Sequence, residues 1–79
     1  MELVVISPKG TLCREEVESV SLPGTAGRFT VLKDHAPLVS SLVAGDIAYK
    51  KDGELHDIHV EGGFVRVSHN RIEVAAEIK

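Results

Sequence analysis

Seventy-nine residues carrying a formal net charge of −3 make one small domain, residues 1–79, with no second domain and little room for a deep pocket. The mildly acidic balance and the 4% of aromatic residues argue against a nucleic-acid partner, since neither a cationic face nor a stacking platform is supplied. No apolar run reaches the roughly 18 residues that span a bilayer as a helix, and Met1-Glu2-Leu3-Val4-Val5-Ile6 lacks the basic start and cleavage site of a secretory signal.

The chain reads as strands throughout. Glu2 to Ile6 is apolar and β-branched, closed by the turn Pro8-Lys9-Gly10. Cys13 to Leu22 reads as a longer polar strand whose apolar phase slips, with Val17 on one face and Val20 and Leu22 on the other. Side chains alternate along a strand, so the slip predicts a bulge or a crossing to a second sheet. Arg28 to Leu32, Leu38 to Val43 and Asp46 to Lys50 follow as short strands. Asp52-Gly53 is a two-residue hairpin signal. Beyond it, His56, Ile58 and Val60 share a face. Gly62-Gly63 marks a bulge or a close backbone approach. Val65 and Val67 face inward, His69-Asn70 makes the last turn, and Ile72, Val74 and Ala76 form a final inward row. Eight to ten short strands with closely spaced turns predict an all-β sandwich or barrel.

Motifs with chemical associations each have a plainer structural reading. Gly24-x-x-Gly27 is followed by a strand and lacks the lysine of a phosphate loop, so a tight turn is expected. His56 and His59, three apart in a strand, point to opposite faces and cannot together hold a metal. Asp34, His35 and Ser40 have the residue types of a hydrolase triad but no nucleophile elbow. The lone Cys13 excludes an intrachain disulfide, favours a reducing compartment and reads as a small buried apolar residue. Lys50-Lys51 beside a hairpin resembles the modified lysine of small lipoyl or biotin carrier domains, though Tyr49 and Asp52 do not match that context. A carrier domain of a multienzyme complex is therefore the alternative reading. No catalytic residue, metal site or cofactor is predicted.

The corner His35-Ala36-Pro37-Leu38 is stiff by construction. Pro37 fixes its own φ and pushes Ala36 into extended geometry. His35 either presents a directional contact from this corner or hydrogen-bonds its own loop.

The ordered set Leu22-Pro23-Gly24, Gly27, His35-Ala36-Pro37-Leu38 and Gly45, followed by Gly62-Gly63-Phe64, Val67, Asn70 and Val74-Ala75-Ala76, resembles the N-terminal β-sandwich domain of the ε subunit of F-type ATP synthases. The likeness runs from Leu3 to Ala76. It implies a flattened sandwich of two antiparallel sheets in a non-catalytic rotor subunit. That subunit joins the γ subunit of the central stalk to the membrane c-ring during proton-driven ATP synthesis. It would sit at the cytoplasmic face of a bacterial inner membrane, attached only through its partners. By the same resemblance, His35, Pro37, Leu38 and Leu42 would face γ, and Thr25, Ala26, Gly27, Arg28 and Phe29 would face the ring. Phe29 and Leu42 are expected to be exposed apolar anchors.

Two departures stand out. Many members of the family carry an acidic residue at the position of Arg28. The family also usually continues into a C-terminal helical hairpin that inhibits ATP hydrolysis and in some members binds ATP. This sequence stops at Lys79, so neither property is expected of it. Met1 at the head of a strand leans towards a naturally short form over a shortened one.

Overall fold

The computed structural model describes residues 1–78. Nine strands run through them: β1 (Glu2–Ser7), β2 (Gly10–Glu16), β3 (Ser19–Gly24), β4 (Gly27–Leu32), β5 (Leu38–Leu42), β6 (Gly45–Lys51), β7 (Glu54–Val60), β8 (Gly62–Ser68) and β9 (Arg71–Glu77). They form one curled sheet in the order β2-β1-β9-β8-β5-β3-β6-β7, with β4 added to β3. The curl brings two layers face to face, β2-β1-β9-β8-β5 against β4-β3-β6-β7. The seam between them is narrow: β5 meets β3 at the single pair Leu42–Gly24. The body measures 29 × 24 × 18 Å, and its thin dimension suits two sheets about 10 Å apart. All-β architecture is thus established, with one departure in detail. The ladders are antiparallel except that β1 and β9 run parallel.

The apolar alternation produces the core. Leu3 and Val5 of β1, Val65 and Val67 of β8, and Ile72 and Val74 of β9 point inward from the first layer, at 2% exposure or less. Val20, Leu22, Val31, Ile47 and Val60 answer from the second, all fully buried. Among the described residues, no polar or charged one is buried. The layer contact is therefore purely apolar, and its burial is the main favourable contribution to folding.

The phase slip between Cys13 and Leu22 is a crossing. The expected single strand is two, because the chain leaves one layer at Glu16 and enters the other at Ser19. Its backbone is handed over in two steps. The Val17 N–H donates to the Met1 carbonyl and the Glu18 N–H to the Lys50 carbonyl, each at 2.8 Å. Both predicted hairpin turns have left-handed backbone, at Asp52-Gly53 (φ 50° and 78°) and His69-Asn70 (φ 51° and 58°). Gly63 supplies the close approach expected of the Gly-Gly pair: a Cβ there would lie 2.2 Å from the Ala75 carbonyl oxygen.

Candidate partner interface

The residues expected to face the ring form a two-residue hairpin tip. Gly24 pairs with Gly27 across it, leaving Thr25-Ala26 exposed at the turn. Both glycines have a steric or conformational reason. A Cβ at Gly24 would meet the Gly27 carbonyl at 2.7 Å and the Phe29 ring at 2.8 Å, and Gly27 has φ +127°. The tip is tied to β5: the Thr25 N–H donates to the Ser41 carbonyl at 3.0 Å, and the two hydroxyls lie 2.6 Å apart. Arg28 does not project freely. Its guanidinium lies across the second layer and donates to the Asp46 carbonyl at 2.6 Å. Phe29 is half-buried and packs against the core, so it is not the exposed anchor expected.

The residues expected to face γ divide into two groups. His35, Ala36 and Pro37 are exposed at the corner. Of the two readings of His35, the hydrogen bond within its own loop is the one seen. The His35 N–H donates to the Leu32 carbonyl at 3.1 Å, and Nδ1–H donates to the Ala36 carbonyl at 2.7 Å. The ring is thereby oriented by its own loop while the residue stays exposed. Leu38 is half-buried against the core. Leu42 requires a correction: it is only 6% exposed and belongs to the core. Leu38, Ser40 and Leu42 occupy the inner phase of β5, opposite Val67, Val65 and Gly63 of β8, and the outer phase belongs to Val39 and Ser41.

That outer phase leads to a feature the motifs did not single out. Val39 (74% exposed), Phe64 (62%) and Ile6 (46%) share the outer face of the first layer. Cross-strand pairing places them there: Phe64 sits beside Ala75 and Ala75 beside Ile6, while Val39 continues through Arg66 and Glu73 to Val4. The result is an open groove of about 460 Å³ with Arg14, Arg66, Arg71 and Glu73 among its walls. Arg66 pairs with Glu73 at 2.7 Å and holds its carboxyl below the usual carboxylate range. Pro37 and Leu38 join this surface through Val39 and Arg66. Alternation of Val4 with Leu3 and Val5, and of Phe64 with Gly63 and Val65, was the available signal.

The other motifs resolve structurally. Asp34, His35 and Ser40 do not converge: Asp34 accepts from the Asn70 carboxamide, His35 bonds Ala36, and the Ser40 hydroxyl donates to the Ser41 carbonyl. His56 stacks on Tyr49 with ring centroids 5.2 Å apart, while His59 turns to Asp46 at 2.8 Å. Lys51 is paired with Glu15 at 2.6 Å, bridging the layers, and is not a free swinging arm. Cys13 is buried in its strand, and burial pushes its thiol pKa up against the opposing hydrogen bond with Tyr49.

Residues 1–78 match the family described as ATP synthase, delta/epsilon chain, β-sandwich domain. An ATP synthase epsilon chain of Desulfitobacterium hafniense is 44% identical over 75 residues, covering 95% of this chain and 57% of that one. Another, of Symbiobacterium thermophilum, is 42% identical over 78 residues, covering 98% and 56%. The chain thus spans a little over half the length of these relatives. Among solved structures, a chain of the Euglena gracilis mitochondrial ATP synthase superimposes with a TM-score of 0.86 at 19% identity, covering 94% of this chain and 48% of that one. A chain of the Tetrahymena thermophila mitochondrial ATP synthase, in a structure of its central stalk and c-ring, gives 0.81 at 14%, covering 98% and 63%. At these identities the two structures speak for the fold.

Proposed function

This chain belongs to the β-sandwich family of ATP synthase delta and epsilon chains, and from that membership we propose that it is a non-catalytic rotor part that joins γ to the c-ring during proton-driven ATP synthesis. The observation that carries the proposal is the separation of two candidate contact areas on one stiff body. The His35 corner, continuous with the apolar groove around Phe64, lies at the start of β5. The Thr25-Ala26 tip is fastened to Ser41 near its end. The five residues of β5 give a strut roughly 15 Å long between them. A load applied at one area reaches the other through paired strands and a close-packed core, which resist shear. His35, Pro37 and Leu38 with Val39 and Phe64 would meet γ. Leu42 supports that surface from beneath.

The tip would meet the polar loops of the ring through Thr25, Ala26 and Gly27. With its guanidinium engaged by a backbone carbonyl, Arg28 serves the ring contact chiefly by bracing the hairpin, and Phe29 by anchoring it to the core. Attachment to the membrane would come entirely through these partners, at the cytoplasmic face of a bacterial inner membrane. No nucleotide or cofactor enters the role. The ion pair to Glu15 ties down Lys51 but not the exposed Lys50, and what speaks against a carrier function is the family membership.

The test is reconstitution of the ATP synthase in vesicles with and without this chain. Proton-driven synthesis is expected to depend on its addition. Equal synthesis in its absence would remove the coupling role.

A further inference from the structure

We propose that Asn70 is the positioning residue of the partner-facing corner: its carboxamide clamps Asp34 at two points and holds His35-Ala36-Pro37 in the geometry that γ meets. The inference rests on the reading of that corner as a γ contact.

The five residues between β4 and β5, Lys33 to Pro37, carry the corner. Their other hydrogen bonds are local: the His35 N–H to Leu32 and the His35 ring to Ala36. Such bonds shape the corner without fixing it to the body. Among the described residues, the side-chain hydrogen bonds that reach beyond the corner both run to Asn70, 36 positions away. The Asp34 N–H donates to Asn70 Oδ1 at 2.6 Å, and Asn70 Nδ2 donates to Asp34 Oδ1 at 3.0 Å. A backbone N–H needs an acceptor and a carboxylate needs a donor, and a carboxamide in this orientation satisfies both at once.

Asn70 is itself well anchored. It occupies the β8–β9 turn at φ 58°, and its carbonyl accepts the Glu2 N–H at 2.9 Å. One residue thus links the corner, the turn and the first strand. Asp34 also has left-handed backbone, at φ 63°, a conformation Asp tolerates better than most residues with a side chain but still at some cost. The two bonds to Asn70 offset that cost. Both bonds are exposed, so each alone competes poorly with water, whereas the pair acts as a single two-point contact.

The experiment measures hydrogen exchange of the Asp34 amide by NMR in the free chain, and its affinity for the cognate γ subunit by calorimetry. Asn70→Gly keeps the left-handed turn and deletes both bonds. It is expected to speed the exchange and to weaken γ binding, each about tenfold. Asn70→Asp keeps an acceptor for the Asp34 N–H but sets carboxylate against carboxylate, and the repulsion is expected to open the corner, moving both readouts in the same direction. Adding Asp34→Asn to it exchanges donor for acceptor, keeps the original net charge, and should restore both readouts. Unchanged exchange in the Asn70→Gly chain overturns the role of Asn70, whatever the affinity does. Exchange that accelerates and is rescued, while γ binds every variant alike, leaves the clamp intact but overturns the corner as a γ contact and the inference with it.

Discussion

At Gly63 a single added methyl group has nowhere to go. The Ala75 carbonyl lies 2.2 Å from where that carbon would sit, and the backbone has φ +142°. Gly63→Ala should therefore lower unfolding free energy by about 3 kcal/mol. Gly53→Ala, with open space around the added carbon, should cost about 1 kcal/mol through its φ of +78° alone. Urea denaturation of the two variants checks the contrast, and equal losses would refute it. At His59 the expected effect depends on pH. The hydrogen bond to Asp46 is the main cause that raises the imidazole pKa above its ordinary 6.5; desolvation opposes it, and the charge of Glu61 adds to the rise. A raised native pKa gives stability that is full below the unfolded value and fades as pH climbs through the native one. The melting-temperature advantage of wild type over His59→Gln should thus be largest below the ordinary imidazole pKa and fade as pH rises above it. An advantage that grows with pH would contradict the sign. The Gly-Gly approach was legible because two adjacent glycines in a strand signal crowding. The partners of His59 were not, since Asp46 is 13 residues away and reaches it only through the β6–β7 pairing.

Within β5 the two faces of one strand make opposite predictions. Leu42 is in the core, and Leu42→Ala should cost about 2–4 kcal/mol. Val39 on the outer face is 74% exposed, and Val39→Ser should change stability by less than about 0.5 kcal/mol. Thermal melts of the pair decide this, and a mild Leu42→Ala would reopen its placement. Strand alternation was readable wherever one face is buried, as in the inward row Ile72, Val74 and Ala76. The change of layer at Val17-Glu18 was readable as a phase slip, but its form was not. A bulge and a crossing shift apolar parity alike, and only the acceptors at Met1 and Lys50 distinguish them. Leu42 shares the inner parity of Leu38, and that parity sets its burial whatever its nearness in sequence to the His35 corner.

For the molecule as a whole, folding and docking draw on different residues. Phe64 stands on the outer face at 62% exposure, so Phe64→Glu should melt like wild type yet bind γ at least about tenfold more weakly. Calorimetry with γ checks it, and undiminished binding would detach the groove from the interface. Fold class was legible from alternation and turn spacing, and family from the ordered glycine, proline and histidine motifs. The apolar groove was not, because it exists only once β1, β5, β8 and β9 lie side by side. That arrangement has a consequence for how the protein is made. The last strand, β9, lies between the first, β1, and β8, paired to both. A chain still emerging from the ribosome therefore holds a slot in its sheet that only β9 can fill. Its closing step must wait for translation to deliver β9, and until then two unpaired edges stay open to other nascent chains.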